Sequence, residues 1–192
     1  MGKIKGTVLL QIVKYLRLKK EEGRKATPEH LHHYLQNRLL AANWYPEDDY
    51  LELLRALASL FEVGPDVDLW EHLGRIAARS YIDEAYKILV KKADAEGTLK
   101  NFALLWELRH DTGKAEITTL LPGTVLIKIR DYVLVDEQLC RAIQGTIMGM
   151  LEIAGIKDMQ ITKGLCRARG DELCAWQIQW NPAKSGDSSN EK

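Results

Sequence analysis

The spacing of apolar residues changes character near the middle of the chain. In residues 6–20, Val8, Leu9, Ile12, Val13 and Leu16 recur every three or four positions, the period of one helix face. Glu22-Gly23-Arg24-Lys25 is expected to end that helix. Thr27-Pro28-Glu29 has the composition of a helix start, with an N-cap Thr, a first-turn Pro and an acid beside the positive end. The helix it opens is predicted to run to about residue 42. Pro46-Glu47-Asp48-Asp49 starts another, filled by Tyr50, Leu53, Leu54, Leu57 and Phe61. Adjacent acids at such a position read as caps. Gly64-Pro65-Asp66 punctuates, and Asp68 opens an amphipathic stretch through Leu69, Trp70, Leu73, Ile76, Ala77 and Tyr81. Residues 82 to about 93 are expected to continue as a helix.

Beyond residue 100 the reading turns to strands. Residues 102–108 read as a strand, Asp111-Thr112-Gly113-Lys114 as a hairpin turn, and 115–120 as a half-buried alternating strand. Pro122-Gly123 turns the chain into a third strand, 124–130. A long helix from 135 to about 154 carries Gly145 and Gly149 four apart on one face, where another backbone could approach. Arg169-Gly170-Asp171-Glu172 is a turn, and 173–180 alternates as a strand. The predicted fold is α+β: a helical N-terminal half packed on an antiparallel sheet, with a three-strand meander, a long helix and a C-terminal hairpin. One domain is expected over residues 1–180, with a disordered polar tail over 181–192.

The length of 192 residues supports one sizeable core. Lys and Arg number 27, as do Asp and Glu, so the net charge is zero and the general electrostatic ground for binding nucleic acid or an anionic membrane is absent. The cluster of Arg17, Lys19, Lys20, Arg24 and Lys25 is interrupted by Glu21 and Glu22 and reads as a solvated helix end. The apolar run 7–13 is too short to span a bilayer. No secretory pattern is seen, so a cytoplasmic location is expected by elimination, without membrane insertion.

Cys166 and Cys174 flank the 169–172 turn and would come close across a hairpin. Cys140 lies on the preceding helix. If that helix packs over the hairpin, three sulfurs converge, a donor set that suits zinc, with Glu137, one turn before Cys140, as a weak fourth ligand. The same residues also read as small buried hydrophobes, and a Cys166–Cys174 disulfide is geometrically open but disfavoured in a reducing compartment.

Cys140-Arg141-Ala142-Ile143-Gln144-Gly145, Gly149 and the run Gly164-Leu165-Cys166-Arg167-Ala168-Arg169-Gly170-Asp171-Glu172-Leu173-Cys174 resemble the C-terminal signature of vinyl reductase-type (4VR) ligand-binding domains. Sensor domains of phenol- and xylene-responsive activators, heme-nitric-oxide-binding domains and Golgi transport-complex subunits share that superfamily. The resemblance covers roughly residues 100–180. It implies a sensory module with an apolar pocket for an aromatic, tetrapyrrole or acyl ligand. Homodimerisation and a separate protein output partner are expected with it. It also implies zinc on Cys140, Cys166 and Cys174. In the aromatic sensors an acid three residues before the second cysteine completes that site. Here Lys163 stands there, and an ammonium cannot replace a carboxylate.

Trp44, Tyr45, Trp70, Trp106 and Tyr132 are the aromatic candidates for the pocket, with His72 as the histidine best placed for a heme iron. The Tyr-x-Ser-x-Arg motif with which heme-nitric-oxide-binding domains hold the propionates is missing, since Ile129-Arg130-Asp131-Tyr132 does not supply it. Heme is therefore disfavoured, and zinc is the possible cofactor that the resemblance implies. His110, beside the Asp111 turn, reads as a solvated loop residue. No nucleophile or phosphate-cradle motif is found, so no catalytic residues are assigned. Two alternative readings stand beside the sensor: an enzyme or accessory factor of tetrapyrrole metabolism, and a scaffold subunit with a vestigial pocket.

Overall fold

The computed structural model describes residues 2–81, 90 and 94–182. The helix expected over 82–93 and the tail from 183 onward lie outside the described residues. The N-terminal segment forms β1 (Lys3–Lys5), α1 (Gly6–Leu18), α2 (Lys20–Ala26), a 3-10 turn over Glu29–Leu31, α3 (His32–Gln36), β2 (Trp44–Pro46), α4 (Glu47–Ala58) and α5 (Leu69–Tyr81). Next come α6 (Ala95–Arg109), β3 (Lys114–Leu121), β4 (Thr124–Arg130), α7 (Glu137–Ile153), β5 (Gln160–Leu165) and β6 (Cys174–Gln179). The α+β class predicted from the sequence is the observed one.

Several elements depart from expectation for identifiable reasons. The predicted break at Gly23 falls inside α2. The chain kinks earlier, at Lys20, whose φ is +47°. A Cβ on Gly23 would lie 1.9 Å from the Leu16 carbonyl oxygen, so this glycine serves close approach to α1 rather than termination. Thr27 does not cap α3; its hydroxyl donates to the Gly23 carbonyl at 2.7 Å. The helix after it stops at residue 36, six short of the prediction, where the Arg17 guanidinium takes up the carbonyls of Tyr34 and Asn37. The pair β1–β2 was not foreseen, because three-residue strands show no periodicity.

The largest correction is α6. Residues 102–108 are helix, not strand. The helix begins with Asp94, whose carboxylate accepts from the Gly97 N–H at 2.7 Å, and it buries Leu99, Phe102, Leu105, Trp106 and Arg109. Leu104 and Leu108, which made the apolar run look continuous, are each 44% exposed. Asp111–Lys114 accordingly joins a helix to a strand.

β3, β4, β6 and β5 form, in that order, one antiparallel sheet. Its buried face is a ladder in which Val125 opposes Ile178, Ile127 opposes Trp176, and Ile129 opposes Cys174. Above the sheet, α7 lies against α5 at very short range. A Cβ on Gly145 would sit 1.9 Å from the Glu71 carbonyl oxygen, and one on Gly74 would sit 2.0 Å from that of Ala142. The Gly145–Gly149 face thus receives another helix of the same chain.

Gly145→Ala is expected to destabilise the protein by about 1–3 kcal/mol, since overpacking against α5 outweighs the gain in helix propensity. Gly64→Ala, where a Cβ meets nothing within 4 Å, is expected to be near neutral. Urea unfolding midpoints check both.

Candidate ligand cavity and sulfur cluster

The helices line a partly open cavity of about 580 Å³, within the range of small-molecule pockets. Ile12 and Tyr15 of α1, Leu54 of α4, Ala77 of α5, Phe102 of α6 and Met150 of α7 represent its largely apolar walls. At one end stand Trp106, Arg109, His110 and Tyr132.

Three chain segments build that end. Ile4 of β1 bridges to His110, and the Asp111 N–H donates to the Lys3 carbonyl at 3.0 Å. The Glu47 N–H donates to the Gly2 carbonyl at 3.0 Å, which sets the first residue of α4 against the same strand. Glu47 is thereby fully buried. Its Oε1 lies 2.7 Å from His110 Nδ1, and its Oε2 accepts from the Thr112 hydroxyl at 3.0 Å. Trp106 stacks on the imidazole with ring centroids 4.2 Å apart and donates its indole N–H to the Thr112 carbonyl. Tyr132 meets both rings edge-on.

Burial pushes the His110 pKa down, and the neighbouring Glu47 carboxylate only partly opposes this. The neutral ring is the favoured form, and a carboxylate at Nδ1 selects the Nδ1–H tautomer. Nε2 then carries the lone pair. Tyr132 is held well above its ordinary pKa, by burial first and by the charge of Glu47 second, so it stays a neutral phenol. A neutral imidazole fixed by a carboxylate is the form in which histidine ligates metals.

The second site is the cysteine cluster, and the long helix lies over the hairpin as expected. Cys140 Sγ is 3.4 Å from Cys174 Sγ and 3.8 Å from Cys166 Sγ, and all three residues are buried. Asp171 folds the intervening turn by accepting from the Cys166 N–H at 2.6 Å. Sharing of the Cys140 thiol proton pushes the Cys174 pKa down and that of Cys140 up. Lys163 places its Nζ 3.6 Å from the Trp176 ring centroid, and its charge also favours thiolate.

The other sequence-derived candidates divide. Trp106 and Tyr132 line the cavity. Trp44 is 40% exposed with Lys5 over its ring, the Tyr45 hydroxyl accepts from the Leu40 N–H, and Trp70 packs at the core edge. His72, expected to face the ligand, is exposed on α5. Glu137 pairs with Arg141 at 3.5 Å and stays away from the sulfurs. His110 and Glu47 were missed. Residues 109–112 look like a solvated turn and Glu47 looks like a cap, because the strand that buries both is only three residues long.

No protein-family model and no curated protein matches the chain. Solved structures do. An H-NOX domain from Shewanella oneidensis in its Fe(II)CO ligation state matches with a TM-score of 0.65 at 14% identity, over 92% of this chain and 98% of that one. An H-NOX protein from S. oneidensis in the Fe(II)NO state gives 0.62 at 16%, over 92% and 99%. An unliganded Fe(II) H-NOX mutant from K. algicida gives 0.64 at 14%, over 92% and 96%. The chain therefore has the H-NOX fold. Heme-nitric-oxide-binding domains are one of the groups that the C-terminal signature resembles, and the chain shares their architecture.

Both cofactor expectations are corrected. The disfavoured standing of heme is overturned by these neighbours, which are described with Fe(II) ligation states, one further match being a study of heme redox potential and porphyrin distortion. The disfavoured standing rested on one absent motif, and His72, the histidine considered with it, is exposed on α5. Zinc is not supported: three sulfurs gather without an imidazole or carboxylate among the described residues, and a lysine ammonium stands beside them.

The lowered His110 pKa has a signed consequence. Protonation favours the unfolded chain, so the contribution of neutral His110 is complete above about pH 6.5 and is lost as pH falls from there toward the lowered folded value. Wild-type stability is expected to fall in that window by up to about 1.4 kcal/mol per pH unit more steeply than that of His110→Gln. Urea midpoints measured between pH 8 and pH 5 give the comparison.

Proposed function

We propose that this chain is a sensory ligand-binding module that holds an apolar prosthetic group in the helical cavity and signals through a separate protein partner. Heme is the group the site fits best. The observation that carries this reading is the neutral imidazole of His110, oriented by a fully buried carboxylate, at the end of an apolar cavity of about 580 Å³. His110 Nε2 would hold the iron, and the aromatic and aliphatic walls would exclude water. Heme, when bound, would supply an iron able to take a small gas molecule. Glu47 keeps the imidazole a good donor, and Tyr132 and Trp106 fix its plane.

A cavity of this size counts against the scaffold reading, in which the pocket would be vestigial. Homodimerisation remains part of the proposal, but Gly145 and Gly149 are occupied by α5, so a second copy would use another surface.

Hemin titrated into the purified protein is expected to bind one equivalent with a sharpened Soret band. His110→Ala should lose the nitrogen-ligated spectrum and regain it with added imidazole. Glu47→Gln should weaken binding by roughly 10- to 100-fold. Ala77→Trp, which fills the cavity far from His110 in sequence, should block uptake. Failure of the wild type to bind hemin or any apolar dye would remove the cavity reading.

A further inference from the structure

Residues 14–25 carry six Lys and Arg against two Glu, a surplus of four positive charges in a chain whose total is zero. The balance of the whole chain therefore does not describe this segment. Leu18, the last residue of α1, lies inside it with 76% of its surface exposed. Single exposed leucines are ordinary on protein surfaces. This one also belongs to the cavity lining, as does Ile76 of α5 at 37% exposure. Apolar side chains thus continue from the interior of the cavity out to its mouth.

Chain geometry sets that mouth away from the imidazole. Ile4 of β1 bridges to His110, and α1 leaves β1 directly to line the cavity from Val8 to Leu18. Ten residues of helix rise about 15 Å, so Leu18 stands that far beyond Val8. Cations gather at the same place. Lys14 is exposed and lines the cavity. Lys19 holds its Nζ 5.9 Å from the ring centroid of Tyr15, another lining residue. Lys20 is exposed at the kink between α1 and α2, a corner fixed by Gly23 against the Leu16 carbonyl. Arg17 turns elsewhere, to the carbonyls of Tyr34 and Asn37. Glu22 lies 4.0 Å from Lys19 with its side chain 71% exposed, too loose a pair in water to cancel the lysine field. Among the described residues that line the cavity, none is acidic.

An apolar ligand is scarce in water and concentrates in lipid. A mouth opening into water obliges such a ligand to cross solvent, and a mouth seated on lipid does not. Anionic headgroups complement the lysines, while short aliphatic side chains enter the boundary between headgroups and acyl chains. We propose that the mouth framed by Leu18, Ile76, Lys14, Lys19 and Lys20 docks on an anionic phospholipid bilayer, from which the cavity takes its ligand; the uptake step rests on the cavity being the ligand site. The contact is peripheral, since no described helix is long and apolar enough to cross a membrane. With two aliphatic side chains and three lysines it is weak, reversible and sensitive to salt.

The test floats the full chain, without ligand, on vesicles of phosphatidylcholine alone or mixed with phosphatidylserine. Binding is expected with phosphatidylserine at low salt, and it should fall as salt is raised. Lys19→Gln and Lys20→Gln should each lower partitioning by roughly fivefold. Leu18→Ser should lower it by about as much. Two controls should leave it unchanged: Leu121→Ser, at a leucine 66% exposed at the end of β3, and Lys157→Gln, at an exposed lysine after α7. In a second arm, hemin carried in vesicles should pass to the protein about tenfold faster when phosphatidylserine is present. No vesicle binding, or equal binding to both lipids, overturns the proposal, and a protein segment then becomes the candidate for this mouth. Equal losses in the control variants overturn it as well. Docking without faster transfer overturns the uptake step and leaves the docking surface standing. If hemin does not bind even from solution, the cavity reading fails, and the vesicle data still decide the docking surface.

Discussion

A carboxylate withdrawn wholly from water must find donors, and the burial of Glu47 is the constraint around which the ligand end of this protein is arranged. Its oxygens are satisfied by His110 and Thr112, and its own N–H by the Gly2 carbonyl. Those partners come from two parts of the chain, both distant from Glu47 in sequence. Meeting them brings the N-terminal strand, the start of α4 and the end of α6 to one point. The aromatic stack of Trp106, His110 and Tyr132 then has a fixed floor. The cavity above it is walled largely by apolar helix side chains.

A second constraint holds the opposite wall. α5 and α7 approach through Gly74, Gly145 and Gly149 so closely that backbone meets backbone. The polar rim of this pair is tied by Arg75, which reaches both Glu71 and Glu152, and by Arg141 on Asp68. Below, α7 covers the sheet, and Cys140 enters the layer formed by Cys166, Cys174 and Trp176. One helix thus touches the ligand cavity on one side and the sulfurs on another.

Much of this was legible in the sequence where periodicity extends over several turns. α1, α4, α5 and α7 were readable from their apolar spacing, and the convergence of three cysteines followed from a turn at Gly170 and a helix packed above it. What escaped was decided by non-local or very short features. The α6 cap at Asp94 lies eight residues before the run that looked like a strand. The partners of Glu47 and His110 are set by strands of three residues. His72 carried the right chemistry on the wrong face of its helix, and Trp44 and Tyr45 belong to one of those short strands. Local patterns can name a residue type, but the chain decides which solvent that residue sees.

β6, the last described strand, lies between β4 and β5 rather than at an edge. A chain emerging from the ribosome can make every helix of the ligand compartment before it can finish the sheet beneath them. Until residue 179 is available, β4 and β5 have no common neighbour, and each presents unsatisfied backbone groups that invite foreign strands. Closure of this sheet therefore waits on β6. A ribosomal stall or proteolytic cut just before Cys174 would leave a nearly full set of helices poised over an open, aggregation-prone half-sheet.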